Sequence, residues 1–313
     1  MHIFYWNNCW FTNVGEAFID IGAMELLKKL IEKSNTHIPL VNISNMSAYY
    51  INKTVGDAWT HPLSMYDYFR GGVVVFSGMF ISEYHIKENP AFFERLEHMC
   101  SKGMRIVFLN VGQDTYSKEE ADLFMQRLEG IDVPIIVTRD NITYENLKGW
   151  RSKDKKILKG IDCAFWVKDV YNPKLSADAR KEYDVVSYNR SPEPVEFSQW
   201  DREVVRAWHM QYSLTETKVR DNQLVSDTPY DYLTIYANAN RVYTDLVHAT
   251  CVALQYGIPV RFKPVDGRAA VINALENLQM DRNGFLHINE ADLERQKERI
   301  VASISNEFTA FSI

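Results

Sequence analysis

Residues 241–262 read RVYTDLVHATCVALQYGIPVRF and combine three short patterns. The segment RVY at 241–243 indicates the start of a strand, helix-forming residues fill 247–256, and VRF at 260–262 indicates a further strand. Between the last two, the glycine and the proline of 257–259 indicate a turn that ends the helix. Strand, helix and strand in this order predict one unit of an α/β fold with parallel strands.

The same alternation runs through the rest of the chain. A continuous apolar run such as GVVVF at 72–76 is typical of a strand that a parallel sheet buries on both faces. Further strands are predicted at 3–6, 105–110, 133–137, 161–167 and 184–188. Helices are predicted at 16–31, 90–102, 118–128, 143–147, 195–212 and 290–305. Ser117 and Glu120 are spaced as a capping box at the start of one of these helices.

Two series of strands predict two domains, and 313 residues at about 150 residues per domain agree with that number. We expect an α/β fold of two Rossmann-like, doubly wound parallel-sheet domains that face each other across a cleft. The polar segment 170–183 separates the two series. The predicted domains are therefore 1–180 and 181–313, and the last helix could pack back on the N-terminal domain.

The composition narrows the class of protein. A net charge of −6 lacks the basic footprint of a nucleic-acid-binding protein, although it is compatible with a local basic pocket. Contents of 46% hydrophobic and 24% charged residues exclude a disordered chain and a collagen-like fibre. The N-terminus has no signal-peptide pattern, and no run of about 18 apolar residues occurs. We therefore expect a cytoplasmic protein with no membrane span and no nucleic-acid partner.

Sequence motifs for cofactors and metals are missing. The sequence contains neither GxGxxG nor GxxxxGK[ST], which argues against a dinucleotide-dependent enzyme and a P-loop ATPase. The four cysteines form no CxxC pair and no cluster with histidines; they are Cys9, Cys100, Cys163 and Cys251. This spacing predicts reduced, buried thiols, no metal site and no cofactor.

Loops that follow strands are where α/β proteins bind ligands. In the first half, the candidates for residues of the cleft or of an acceptor site are Asn13, Gly15, Glu16, Ser77, Gly78 and Arg139. Glycines in such loops let the backbone approach a ligand closely, and an arginine could hold one. Helix capping and a local ion pair are the simpler explanations from these residues alone, so both readings stay open.

Two residues in the second half suggest chemistry. Arg190 follows the strand predicted at 184–188, and its planar guanidinium suits a carboxylate or a phosphate. His248 begins a helix directly after a strand, where an imidazole can act as a general acid or base near neutral pH. An arginine in a surface loop and a structural histidine are the respective alternatives.

Six segments, taken in order, resemble the polysaccharide pyruvyl transferase family. They are TNVGEAFIDIGAM (12–24), GGVVVFSGMF (71–80), RIVFLNVGQD (105–114), IIVTRDNITYENLKG (135–149), DCAFWVKD (162–169) and the opening stretch (241–262). Within the last segment, TDLVH at 244–248 is similar to the S/T-D-R-L-H motif of the family. Each match is loose, and the order and spacing of the segments carry the resemblance.

This resemblance implies a GT-B-like fold and a transferase. Members of the family transfer a pyruvyl group from phosphoenolpyruvate to two hydroxyls of a sugar in a cell-surface glycan precursor, which gives a ketal. His248 then matches the proposed proton donor, and Arg190 matches an arginine that holds the anionic donor. Thr244, Asp245 and Val247 would also belong to the donor site. The implied partners are phosphoenolpyruvate and a saccharide acceptor, free or lipid-linked.

Two positions depart from the family pattern. Leu246 stands where the motif has arginine, and Glu16 stands where the opening motif has aspartate. Leucine binds neither carboxylate nor phosphate, so Arg190, Arg241 or Arg261 would have to compensate. A GT-B-type glycosyltransferase with a nucleotide-sugar donor and a non-catalytic relative are the alternative hypotheses, ranked behind the pyruvyl transferase.

Overall fold

The computed structural model describes residues 1–7, 13–34, 37–44, 68–88, 90–150, 154–209, 222–311 and 313. Its contacts group the chain into two compact units, which we call unit 1 and unit 2. Unit 1 comprises Met1–Cys9, Leu26–Ile161 and Arg299–Ile313, and unit 2 comprises Trp10–Glu25 and Asp162–Glu298. The domain boundary near residue 180 stays a prediction, because a grouping by contacts does not test which segments fold on their own.

A parallel sheet forms the centre of unit 1. Its strands are β1 (Ile3–Asn7), β2 (Leu40–Ser44), β3 (Val73–Ser77), β4 (Phe80–Ile81), β5 (Arg105–Gln113), β6 (Ile135–Thr138) and β7 (Lys156–Lys159). The order is β2-β1-β3-β5-β6-β7, with β4 paired to β5, and all pairs are parallel. Every residue of β3 and β6 is buried, as their continuous apolar runs predict.

The helices of unit 1 begin at local signals in the sequence. They are α2 (Glu83–Glu88), α3 (Pro90–Ser101), α4 (Lys118–Arg127) and α5 (Asn141–Leu147), while α1 (Val14–Lys33) contributes its last turns. The Ser117 hydroxyl accepts the N–H of Glu120 at 3.1 Å, so the predicted cap is confirmed. The Glu120 carboxylate instead accepts the N–H of Thr115, which makes only half of a capping box.

Unit 2 contains a second, mostly parallel sheet. Its strands are β8 (Asp184–Ser187), β9 (Val204–Ala207), β10 (Gln223–Leu224), β11 (Val242–Thr244), β12 (Val260–Phe262), β13 (Gln279–Met280) and β14 (Leu286–His287). The order is β10-β9-β8-β11-β12-β14-β13, and the two antiparallel pairs are those that β14 forms with β12 and β13. After β8 the chain adds β9 and β10 on one side of β8, and then returns to add β11 on its other side. The switch point therefore lies between β8 and β11.

Short helical segments connect these strands. The α-helices are α6 (Val167–Val170), α7 (Pro229–Asn238), α8 (Val247–Gln255), α9 (Ala269–Ile272) and α10 (Glu290–Ala310), of which α10 continues into unit 1. Turns of 3₁₀-helix cover Cys163–Trp166, Ala177–Ala179 and Val195–Gln199. Strand β11, helix α8 and strand β12 confirm the unit predicted from residues 241–262. Within the described ranges, no helix combines the length and the apolar character needed to cross a membrane.

The strand predicted at 161–167 is wrong. The chain forms a 3₁₀ turn at Cys163–Trp166 and continues into α6. The Asp162 carboxylate accepts the N–H of Ala164 at 2.9 Å, which starts the turn. A short apolar run is compatible with a buried strand or a buried helix, and here the local cap favours the helical form.

The helix predicted at 195–212 is also wrong. The structure has a 3₁₀ turn at Val195–Gln199 followed by strand β9, and the end of the predicted range lies outside the described residues. Phe197 and Trp200 pack edge to face at 4.7 Å between ring centroids, and both contact Tyr243 of β11. These aromatic contacts join the turn to the sheet, so tertiary packing overrides the helical spacing.

A first prediction concerns Gly22 in α1. A Cβ atom there would lie 1.8 Å from the backbone oxygen of Cys163, which is far inside contact distance. We expect Gly22→Ala to lower the free energy of unfolding by about 3 kcal/mol, because backbone must move to admit the methyl group. Urea denaturation measures the difference.

The control is Gly149→Ala, because a Cβ at Gly149 meets no atom within 4 Å. This variant should keep the wild-type midpoint within experimental scatter. Equal midpoints for the two alanine variants would contradict the close approach of α1 to the 3₁₀ turn.

Candidate functional site

The carboxyl ends of β8 and β11 lie side by side in unit 2. The two strands pair in parallel, with Ser187 opposite Thr244. The loop after β8 carries Arg190, and the residues after β11 lead into α8, which carries His248. Ligands of open α/β sheets bind where strand order reverses, so this edge is the candidate site.

Asp245 holds the loop that follows β8. Its buried carboxylate accepts the backbone N–H groups of Asn189, Arg190 and Ser191 at 3.0, 3.0 and 2.7 Å. The Ser191 hydroxyl donates a fourth hydrogen bond at 3.0 Å. These four donors account for the buried charge and place Arg190 beside β11.

The neighbouring motif residues also form hydrogen bonds within unit 2 or are buried there. The Thr244 hydroxyl donates to the Ser187 carbonyl at 2.9 Å and accepts the N–H of Leu246 at 3.0 Å. The side chains of Thr244, Leu246 and Val247 are buried. Among the predicted donor-binding residues, Arg190 keeps the most accessible side chain, with 33% exposed.

His248 lies between two segments that are distant in the sequence. Its side chain is 12% exposed, and its Nε2 atom is 3.7 Å from Oδ2 of Asp162. Nε2 is buried and has no hydrogen-bond partner among the described residues. Asp162 is fully buried and was not selected from the sequence as a site residue, although it opens the DCAFWVKD segment.

The first turn of α1 approaches the other side of the imidazole. A Cβ atom on Gly15 would lie 2.5 Å from Nδ1 of His248, so only glycine allows this approach. Oδ1 of Asn13 accepts the N–H of Gly15 at 2.9 Å, and Glu16 follows within the first turn of α1. Two of the predicted loop residues, Asn13 and Gly15, are thus close to His248.

The remaining predicted residues belong to unit 1. Ser77 ends β3, and Gly78 follows it in the left-handed region with φ of +69°. Arg139 follows β6 and is buried, with its guanidinium packed against Gly112. A Cβ on Gly112 would lie 2.4 Å from Nε of Arg139, so this glycine makes room for the buried arginine.

His209 is a second buried histidine that the sequence analysis missed. Its Nε2 lies 2.8 Å from the Tyr236 hydroxyl, its N–H donates to Asn189 at 2.7 Å, and its carbonyl accepts the N–H of Val14 at 3.1 Å. Burial, and secondarily the charge of nearby His248, lowers the pKa of His209 to about 3. His209 is therefore neutral near pH 7. It lies two residues beyond β9, a position that the wrongly predicted helix concealed.

The residues described above fall within the match to a known protein family. The family model described as Polysaccharide pyruvyl transferase matches residues 13–266. The chain belongs to this family. The match begins at Asn13 of the first loop and includes Asp162 and His248, and it indicates a transferase that modifies polysaccharides. Among curated protein sequences, none matches the chain significantly.

Solved structures support the fold. MnaA from S. aureus with UDP is 12% identical, with a TM-score of 0.53 over 97% of this chain and 91% of that chain. UDP-GlcNAc 2-epimerase from Methanocaldococcus jannaschii, in complex with UDP-GlcNAc and UDP, is 12% identical, with a TM-score of 0.51 over 97% and 100%. At this identity the likeness shows the fold alone. It confirms the predicted α/β class of GT-B type.

A second prediction concerns the pH dependence of stability. The unfolded chain protonates His209 near pH 6.5, whereas the folded protein binds that proton only near pH 3. Stability is therefore lost as the pH falls below 6.5, by about 1.4 kcal/mol per pH unit from this group. Between pH 7 and pH 5, we expect His209→Gln to remove about 2 kcal/mol of the pH-dependent decrease.

Urea denaturation of the wild type and the variant at both pH values gives this difference. Glutamine can still hydrogen bond to Tyr236, and the comparison between pH values cancels its effect on packing. His287→Gln is the control, since that histidine, on β14, has a side chain 41% exposed. An unchanged pH dependence in His209→Gln would contradict a buried neutral imidazole.

Proposed function

We propose that the protein is a pyruvyl transferase that forms a ketal on a sugar of a cell-surface glycan precursor, with phosphoenolpyruvate as the donor. The observation that carries the proposal is the position of His248 at the switch point, with Gly15 against one ring nitrogen and Asp162 near the other. Membership of the family supports the same reaction class.

His248 acts as the general acid in this proposal. It donates a proton to the methylene carbon of phosphoenolpyruvate, and C2 becomes electrophilic. One sugar hydroxyl attacks C2, the bond from C2 to the phosphate oxygen breaks, and the second hydroxyl closes the ketal. One hydroxyl proton returns to His248, and the other leaves with inorganic phosphate. The reaction therefore needs a proton donor and a site for an anion, but no redox step.

The anion site has to work without the motif arginine. Leu246 is buried at the start of α8 and supplies no charge. Arg241 precedes β11 and thus lies at the amino edge of the sheet, away from His248. Arg261 lies within β12, with its guanidinium over the rings of Tyr243 and Phe285 at 5.6 and 4.8 Å. Neither arginine compensates for Leu246.

A pair of arginines at the carboxyl edge offers a better replacement. Nη1 of Arg190 is 3.3 Å from Oδ2 of Asp266, and Nε of Arg268 is 2.8 Å from the same oxygen. Two guanidinium groups against one carboxylate leave one positive charge. Lys263 donates its N–H to the Thr244 carbonyl at 2.9 Å, which joins this loop to the end of β11. Arg190 and Arg268 together suit a donor with a carboxylate and a phosphate.

A nucleotide-sugar donor is the second candidate. Leu246 favours it, because the motif arginine of pyruvyl transferases is absent. The two structural neighbours contain UDP or UDP-GlcNAc, which makes such ligands the appropriate comparison. A non-catalytic relative is the third candidate, although the close packing around His248 speaks for a retained site.

A third prediction tests the reaction. His248→Asn should lower phosphoenolpyruvate-dependent release of inorganic phosphate by a factor of roughly 10² to 10⁴, because the proton donor is lost. The assay combines phosphoenolpyruvate with saccharides that carry two neighbouring hydroxyls. The asparagine variant should still be stabilised thermally by phosphoenolpyruvate.

Ligand stabilisation separates the candidate functions. At a hundredfold excess over Kd, the true donor stabilises the folded protein by about 2.7 kcal/mol. Stabilisation by UDP-sugars alone would favour the glycosyltransferase, and no response to either donor would favour the non-catalytic relative. His287→Asn is the control and should keep full turnover. Full turnover in His248→Asn would contradict its role as the acid.

A fourth prediction tests the arginine pair. Arg268→Ala should raise the KM for phosphoenolpyruvate roughly tenfold to a hundredfold, since it removes a charge-assisted hydrogen bond to the donor. Arg268→Lys should recover little, because an ammonium group cannot form the two parallel bonds of a guanidinium. Steady-state kinetics with phosphoenolpyruvate as the varied substrate measures both effects.

Arg295→Ala is the matched control. Arg295 also pairs with a nearby aspartate, Asp292, but it lies on α10 with a side chain 61% exposed. An unchanged KM in Arg268→Ala would exclude this arginine from the donor site.

A further inference from the structure

The segment that opens at Asp162 runs alongside α8. The Gln255 side chain, in the last turn of α8, donates to the Ala164 carbonyl. Its amide oxygen accepts the N–H of Lys168 at 2.8 Å. At the other end of the same helix, His248 faces Asp162. The helix is thus hydrogen-bonded to this segment at its last turn, while at its first turn Nε2 of His248 lies 3.7 Å from Oδ2 of Asp162.

The same segment is also fixed against α1. Gly22 allows the Cys163 carbonyl to pack directly on the helix, and Gly15, two turns earlier, allows the approach of His248. The imidazole therefore has one nitrogen beside a backbone position without a side chain and the other beside a buried carboxylate. Gly15 contributes only its backbone to this contact, and the Asp162 carboxylate is held by a hydrogen bond from the N–H of Ala164.

The two carboxylate oxygens of Asp162 have different surroundings. Oδ1 accepts the N–H of Ala164 at 2.9 Å, which fixes the carboxylate plane. Oδ2 is the atom that lies 3.7 Å from Nε2 of His248. This separation is longer than a hydrogen bond, and catalytic hydrogen bonds are often long in ligand-free structures and shorten when substrate binds.

We propose that Asp162 is the positioning residue of His248: its Oδ2 accepts a hydrogen bond from Nε2–H, so that Nδ1, beside Gly15, is the nitrogen that exchanges a proton with the substrate. A carboxylate in this position selects the tautomer and stabilises the charge that the ring gains on protonation. Asp162 itself keeps no contact with the reacting atoms. The inference rests on the proposed function only for the direction of proton transfer.

Other charged or titratable groups lie on the elements around His248. His209 is buried and neutral on the loop after β9, and its pKa responds to the charge of His248. Asp245 precedes α8 and is held by four donors of the loop after β8. Glu16 lies in the first turn of α1. The Oδ2 atom of Asp162 lies 3.7 Å from Nε2 of the imidazole.

The test uses Asp162→Asn in the full-length chain. Asparagine can still accept the N–H of Ala164 and start the 3₁₀ turn, but it removes the charge beside Nε2. We expect kcat to fall roughly a hundredfold with KM for phosphoenolpyruvate within about threefold, because the general acid is misoriented while donor binding is kept. A cap with no further role predicts wild-type kcat in this variant.

Imidazole nitrogen NMR gives a readout that does not depend on turnover. The chain has eight histidines, and the spectrum of His248→Asn identifies the resonances of His248. Wild-type protein should show the Nε2–H tautomer for His248, and Asp162→Asn should show a mixture or the Nδ1–H tautomer. If phosphoenolpyruvate is not turned over but this tautomer change occurs, the proposed function fails and the positioning role stands.

Asp281→Asn is the matched control. Asp281 also lies near a histidine, with 3.4 Å between its Oδ2 and Nε2 of His287, but both side chains are on the exposed surface. This variant should leave kcat and the His248 resonances unchanged. A His248 tautomer that is the same in wild type and Asp162→Asn would overturn the inference, and unchanged kcat in Asp162→Asn would do so equally.

Discussion

The close approach of α1 to its neighbours in unit 2 is the constraint on which the candidate site depends. Two positions of this helix admit no side chain, because Gly15 meets His248 and Gly22 meets the Cys163 carbonyl. Through these contacts one helix positions both the imidazole and the segment that begins with Asp162. Protein interiors pack as densely as organic crystals, so a single added methyl group would displace the whole arrangement.

Burial decides the electrostatics of the same region. Four hydrogen-bond donors compensate the buried carboxylate of Asp245 for the loss of water, whereas burial lowers the pKa of His209 to about 3 and keeps its imidazole neutral near pH 7. Asp162 satisfies one oxygen with a backbone N–H and directs the other toward His248. The protein as a whole has a net charge of −6. Around Asp266, however, the two guanidinium groups of Arg190 and Arg268 face one carboxylate, which leaves one positive charge. In the proposed function, this local charge holds the anionic donor, a role that the overall net charge does not suggest.

Local sequence patterns predicted a strand or a helix correctly where the segment showed a single clear periodicity. Strands β11 and β12 and helix α8 lie where the stretch 241–262 places them, because a turn with glycine and proline separates clear strand and helix patterns. The predictions failed at 161–167 and 195–212. In the first, a cap residue turned an apolar run into a 3₁₀ turn, and in the second, contacts among aromatic residues drew the chain into the sheet. The first outcome follows from a hydrogen bond within the segment, and the second depends on Tyr243, which lies outside it.

The sequence by itself determined the α/β class and the family, because these depend on the order of short segments along the chain, and it selected His248 as a candidate site residue. Only the tertiary structure decided which residues surround that histidine. Asp162 precedes it by 86 positions in the numbering, and Gly15 is farther still. Likewise, strand direction places Arg241 at the amino edge of the sheet and Arg268 beyond the carboxyl end of β12, which the sequence alone does not show. Contacts of this kind arise from packing between distant segments, and no local spacing contains them.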